Sequence, residues 1–181
     1  KKAQLLSSKE FYHPEVDCIK INKFNNMDEY NLFMLKSYGE YINTEFLLNI
    51  HNDGFVLNPE AWTDEFLHYD YIGALWKIVQ PNAFYGVNSS NRVGNGGFSL
   101  RSKKFLDIVK NFCPFKPGWS EDVTFCRLYR DLLISHGIKY APDHIAAQFS
   151  IEYGGSDEFI NQSLEDYKTI KTFGFHGKGT D

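Results

Sequence analysis

The sequence has no basic block: 19 Lys and Arg stand against 23 Asp and Glu in 181 residues, a net charge of −4. That excludes a nucleic-acid binder that works by neutralising phosphates along an extended surface. It also lacks any apolar run near the roughly 20 residues that a membrane-spanning helix needs, so no transmembrane segment is expected. Its three cysteines, Cys18, Cys113 and Cys126, show no CxxC or other metal-ligand spacing. An odd number cannot all pair within one chain, which points to a reducing, cytoplasmic compartment and to small buried apolar roles. Internal repeats, low-complexity stretches, a phosphate-binding P-loop and a nucleophile elbow are missing as well.

What remains is the composition of one globular domain over residues 1–181, 43% hydrophobic and rich in aromatics, with 16 Phe, 11 Tyr and 3 Trp. Periodicity predicts a helix over 1–12, a strand over 16–21, a helix over 28–42 with Tyr30, Phe33, Met34, Tyr38 and Tyr41 at helical spacing, and a buried parallel strand over 45–51. Further on it predicts a short helix over 60–68, a strand over 69–74, a polar loop over 80–95 and a strand over 97–101. A helix capped by Ser102 should follow over 102–112, then a helix over 121–136 ended by Gly137 and a strand over 138–141. Residues 171–179 are too irregular to assign. The order is that of an α/β sheet, but it opens on a helix, so the sheet is expected to lack its first strand and the chain to be an N-terminally truncated domain.

Four short constellations carry chemistry. His51-Asn52-Asp53-Gly54 follows a predicted strand, where open α/β sheets bind ligands. Asp53 is a hard oxygen donor for Mg²⁺ or Mn²⁺, and His51 is a second ligand or a diphosphate contact; the same residues also make an ordinary turn. Arg92 to Arg101 packs Gly94, Gly96 and Gly97 just before a strand, which suits either backbone amides offered to a sugar or phosphate oxygen or a bulged hairpin. Ser120-Glu121-Asp122 puts two carboxylates in the first turn of a helix, where the helix dipole favours them and where one can act as a general base beside Trp119. His176, between small residues near the end of the chain, can reach a metal, and Lys178 adds a positive charge for phosphate.

Taken in order, the four resemble the core motif series of GT-A-fold glycosyltransferases, over nearly the whole chain. More narrowly, Trp62, Glu65-Phe66-Leu67, Tyr69-Asp70-Tyr71-Ile72-Gly73-Ala74 and Trp76, followed by Gly94-Asn95-Gly96-Gly97-Phe98-Ser99-Leu100-Arg101, are similar to a poorly characterised family of GT-A-like domains from microbial and viral proteins. The resemblance implies an α/β GT-A fold, a Rossmann-like nucleotide-sugar-binding domain whose mixed, mostly parallel sheet is flanked by helices. It implies that Asp53 stands where the last acid of the DxD motif holds a divalent cation, Mn²⁺ or Mg²⁺, with His176 as the C-terminal metal-binding histidine. Asn95, Gly96 and Gly97 would lie along the donor sugar, and Asp122, beside Glu121, would be the base of the xED motif of inverting members. One position departs from the pattern: His51 stands where the first acid of DxD is expected, which leaves fewer negative ligands.

On that reading the donor-binding residues are His51, Asn52, Asp70, Trp76, Asn95, Gly96, Gly97, Trp119 and Lys178. Trp76 and Trp119 offer faces for sugar C–H groups, and Asp70 an acceptor for a sugar hydroxyl. The expected activity is metal-assisted transfer of a sugar from a nucleotide-sugar, a UDP-sugar in particular, to a hydroxyl-bearing acceptor with inversion. The alternatives are a noncatalytic carbohydrate- or nucleotide-binding module of the same fold, and a metal-dependent hydrolase using Asp53, Asp122 and His176.

Overall fold

Two side chains open the two ten-residue helices. Asn26 accepts a hydrogen bond from Glu29 N at 2.9 Å and starts α1 (Met27–Lys36), whose first turn carries Asp28 and Glu29 and whose last carries Lys36, the charges a helix dipole favours at each end. Ser102 accepts from Phe105 N at 2.9 Å and starts α2 (Lys103–Phe112), which buries Phe105, Leu106 and Val109 along one stripe. These come from a computed structural model that describes residues 3–76, 92–153 and 171–177.

Strands β1 (Ala3–Ser7) and β2 (Val16–Lys20) pair in parallel. A second sheet has β6 (Phe98–Ser102) at its centre, antiparallel to β3 (Phe46–Ile50) on one side and to β5 (Tyr71–Gly73) on the other. All five residues of β6 are buried, as a strand covered on both faces requires. In the third sheet β8 (Gly174–Gly177) is central, antiparallel to β4 (Gly54–Val56) and parallel to β7 (Ser150–Tyr153). Phe66, Phe98, Phe149 and Phe173 form one aromatic cluster between these sheets, and Tyr71, Phe105 and Phe125 another.

The chain is therefore mixed α/β, with small sheets flanked by helices, but the expected mostly parallel sheet is not what forms. Among the described residues three of the five strand pairings are antiparallel. The apolar run at 45–51 reads as a doubly buried parallel strand; β3 is instead an edge strand, with half-buried residues along most of its length. The helix expected over 1–12 is also corrected. Residues 3–7 are strand β1, whose Gln4 and Leu6 are more buried than Ala3 and Leu5, and pairing with β2 satisfies the backbone; the first described element is thus a strand.

Other elements keep their place and change their type. The helix expected over 28–42 ends at Lys36 and passes into a 3-10 turn, Tyr38–Tyr41, while 60–68 forms two 3-10 turns, Pro59–Ala61 and Asp64–His68. The helix expected over 121–136 is three pieces: α3 (Glu121–Val123), a π-turn (Thr124–Leu128) and α4 (Arg130–Ser135). It stops at Gly137, whose φ of +84° suits glycine. In place of a strand at 138–141 there is one bridge, Tyr140 to Tyr71, and then α5 (Asp143–Phe149), which the sequence pattern does not announce. Most of the expected 80–95 loop lies outside the described residues. Among the described residues no helix is long and apolar enough to cross a membrane.

Candidate functional site

The 51–54 turn is tied down on both sides. His51 N donates to Gly97 O at 2.7 Å, Gly54 N to His51 O at 3.0 Å, and Gly177 N to Asp53 O at 3.1 Å. Register completes the arrangement, because Gly54 of β4 pairs with His176 of β8. The side chains of His51, Asp53 and His176 thereby converge: one ligand atom from each lies within 4.8 Å of the others, and all three residues are half-buried. His176 Nε2 is 3.2 Å from Asp53 Oδ1. The turn and the cluster are one feature, since the turn is what aims Asp53.

The glycine segment supports this cluster from behind. Asn95 sits at φ +63°, a left-handed conformation that its side chain helps to hold by accepting from Gly97 N at 2.9 Å. Its Nδ2 is 2.9 Å from His176 Nδ1. A Cβ on Gly97 would fall 1.8 Å from His176 Nε2, and one on Gly96 2.2 Å from Glu121 Oε1, so glycine is required at both for close approach. Gly96 O accepts from Asn49 Nδ2 at 2.6 Å, Arg101 Nη2 at 3.1 Å and Ser99 Oγ at 3.1 Å. The amides expected to hold a sugar or phosphate oxygen are engaged within the protein: Gly96 N donates to Asp122 Oδ2 at 3.1 Å, and Gly97 N to Asn95. Asn95, Gly96 and Gly97 are buried and lie against His176, Glu121 and Asp122.

Electrostatics separate the two histidines. Burial, with the nearby charges of Arg101 and His176, pushes His51 down to about 4, so it is a neutral imidazole at pH 7; its Nε2 is hydrogen-bonded to Tyr30 Oη at 2.8 Å. Burial also opposes protonation of His176, but the carboxylate of Glu152, 3.9 Å from Nδ1, and the charges of Asp53 and Asp122 outweigh it and raise its pKa. Two imidazoles and a carboxylate form a donor set of borderline softness, better matched to Mn²⁺ than to Mg²⁺, which prefers oxygen. The residues present therefore fit a divalent transition ion.

The acid pair sits beside the glycine segment, with its two members in different surroundings. Asp122 is half-buried; Oδ1 accepts from Ser120 Oγ at 2.6 Å and from Val123 N at 2.7 Å, and Oδ2 from Gly96 N. Ser120 makes no backbone cap and gives its hydroxyl to Asp122 instead. Glu121 is buried; its Oε1 has no hydrogen-bond partner and lies 3.6 Å from Arg101 Nη2. Burial and the Asp122 charge push its carboxyl up to about 7, against the pull of Arg101.

The remaining expected site residues fall elsewhere. Asp70 precedes β5, at the end of that strand remote from Gly73 and the glycine segment. Both of its carboxylate oxygens accept hydrogen bonds within the protein, from Ser102 Oγ at 2.7 Å, Lys104 Nζ at 3.0 Å and Lys139 N at 2.9 Å. Trp76 lies across Gly94, with the Arg127 guanidinium 4.2 Å from its ring, and Trp119 carries Lys116 Nζ at 4.9 Å. Asn52 is exposed in the turn. Lys178 lies outside the described residues. Sequence reasoning missed Tyr30, Glu152 and Arg101 as neighbours of the site. Tyr30 reads as one more helix-face aromatic, Glu152 belongs to no motif, and Arg101 closes the glycine motif with nothing to say that it turns inward.

Fold and site together define a mixed α/β protein with a His–Asp–His cluster backed by a buried glycine segment and an acid pair. The chain belongs to the family described as Protein of unknown function (DUF5672), which it matches over residues 13–176. Comparison with curated proteins finds no match.

Proposed function

We propose that this protein is a GT-A-type glycosyltransferase that uses Mn²⁺ to move a sugar from a nucleotide-sugar, a UDP-sugar in particular, to an acceptor hydroxyl with inversion. One observation carries the reading: all four motifs that resemble the GT-A series meet at one place. His51, Asp53 and His176 converge, Gly97 packs on His176, and Gly96 N holds Asp122. Three residues from two parts of the chain, the 51–54 turn and the strand at 174–177, would hold the ion, His51 and His176 through ring nitrogens and Asp53 through its carboxylate. The ion would supply positive charge where the leaving diphosphate gains negative charge.

The chain's own residues supply the rest. Neutral His51 offers a lone pair at pH 7 without first losing a proton, and Tyr30 orients its ring. Asn95 Nδ2 donates to His176 Nδ1 and fixes that ring, whose Nε2 faces Asp53 and gives up its proton when the ion binds. Asp122 is the base, receiving the acceptor's proton at Oδ2, which among the described residues accepts one hydrogen bond, from Gly96 N; Ser120 and Val123 fix the other oxygen. Glu121 lies beneath Gly96 and acts on position, not on substrate. The three free cysteines, two of them buried, support a cytoplasmic setting.

A second reading rests on Asp122 itself. A carboxylate with three hydrogen-bond donors is also what an anchor between loop and helix looks like, and this favours a noncatalytic carbohydrate- or nucleotide-binding module. A panel of nucleotide-sugars with Mn²⁺, followed by product analysis, separates the readings. Transfer to added acceptors supports the enzyme, binding without turnover supports the module, and breakdown that acceptors do not divert supports a hydrolase. Absence of binding to every nucleotide-sugar overturns the proposal.

A further inference from the structure

Apart from the His–Asp–His cluster, the described residues contain a pair of guanidinium groups short of acceptors. Arg127 belongs to the π-turn Thr124–Leu128, and Arg130 opens the helix that follows. Arg127 Nη1 donates to Cys126 O at 2.7 Å and Val93 O at 3.4 Å, but its Nε and Nη2 are buried without a hydrogen-bond partner, and so is Arg130 Nη1. Nε and Nη2 form the edge of a guanidinium that grips an oxyanion with two parallel hydrogen bonds. Neither arginine pairs with a carboxylate among the described residues, and the neighbouring Asp143 faces Arg92 at 3.8 Å.

Both planes are held in place. Arg127 Cζ stands 4.2 Å from the Trp76 ring centre, and Arg130 Cζ 3.9 Å from that of Tyr140. Arg92 Nε donates to Trp76 O at 3.1 Å, and Trp76 N to Arg92 O at 2.9 Å, which fixes the tryptophan wall. Stacking satisfies the faces of the two cations and leaves Arg127 Nε and Nη2 and Arg130 Nη1 without acceptors. Buried charged donors with no acceptor are costly and rare, and an oxyanion is the group whose lone pairs would satisfy them together.

We propose that Arg127 and Arg130 form an oxyanion-binding site, separate from the His51–Asp53–His176 cluster, for a phosphate or carboxylate group carried by a ligand. The fork of Arg127 takes two oxygens and Arg130 Nη1 a third contact, with Trp76 and Tyr140 as the walls that hold the two guanidinium planes. A π-turn within a helix is a frequent companion of such sites, and here it carries the residue that supplies the fork.

The test is isothermal calorimetry and thermal unfolding of the whole protein, without added divalent ion, in phosphate, in acetate and in chloride at equal ionic strength. The wild-type protein is expected to bind phosphate or acetate and to unfold at a higher temperature there than in chloride. The anion that acts more strongly tells a phosphate-bearing ligand from a carboxylate-bearing one. Arg127→Lys keeps the charge and loses the fork, and should weaken that binding at least tenfold; Arg130→Gln should weaken it less. No effect beyond chloride, or an effect in Arg127→Lys and Arg130→Gln equal to that in the wild type, overturns the proposal. Because Arg130→Gln leaves the Arg127 fork and its stack on Trp76 in place, it keeps the test decisive should Arg127→Lys fail to fold: anion binding unchanged in it overturns the proposal.

Discussion

His176 Nε2 lies 3.2 Å from Asp53 Oδ1, and the same ring occupies the space in which a side chain on Gly97 would have to fit. A methyl group there would stand 1.8 Å from Nε2, so Gly97→Ala must displace His176 or the strand that carries it. Mn²⁺ affinity in Gly97→Ala should fall at least tenfold, as loss of a positioned ligand does. Titration calorimetry measures it, and wild-type affinity in the variant would show that the cluster is not the metal site.

Glu121 gives the protein a pH signature. With its carboxyl raised from 4.5 to about 7, the folded protein keeps a proton that the unfolded chain releases. The stability this contributes is complete below the unfolded pKa and is lost as pH rises through about 7. Glu121→Gln cannot ionise and should lack the decline, gaining on the wild type by up to about 3 kcal/mol between pH 4.5 and pH 8. Urea unfolding at several pH values gives the slope; parallel profiles for the two proteins would contradict the buried, protonated Glu121.

Asp122→Asn separates catalysis from binding. The amide keeps the size of the carboxylate and can still accept from Gly96 N, so donor binding should survive while turnover falls by at least 10²-fold, the range of a lost general base. Binding and rate measured on the same preparation decide it. Unchanged turnover would remove Asp122 from the chemistry.

Ser102 is expected to matter for folding alone. Its hydroxyl accepts from Phe105 N and donates to Asp70, and it lies in a buried position. Ser102→Ala should cost about 2 kcal/mol of stability, a lost cap together with an orphaned carboxylate contact, and leave Mn²⁺ binding unchanged. Denaturant midpoints and calorimetry on the variant check both halves.

What could be read in the sequence was local. The Ser102 cap, the Gly137 stop, the strand into Arg101 and the polar turn at 51–54 each announce themselves through residues a few positions apart. The partners of each strand were not legible, because pairing depends on contacts distant in sequence: β3 reads as buried and parallel, yet it pairs antiparallel with β6. The same holds for the site. The motif residues Asp53, His176, Gly96 and Asp122 were visible one by one, whereas Tyr30 and Glu152 join them only through packing of α1 and β7. The glycines show the limit from the other side. Sequence alone suggests amides turned out to a ligand; burial turns them inward, toward Asp122 and Asn95.

The most direct measurement is calorimetric binding of a UDP-sugar to the protein with and without Mn²⁺, repeated on Asp53→Asn and His176→Ala. The account predicts binding that depends on Mn²⁺ in the wild type and is weakened at least tenfold in both variants. Binding that needs no divalent ion, or that survives unchanged when Asp53 and His176 are replaced, would contradict it.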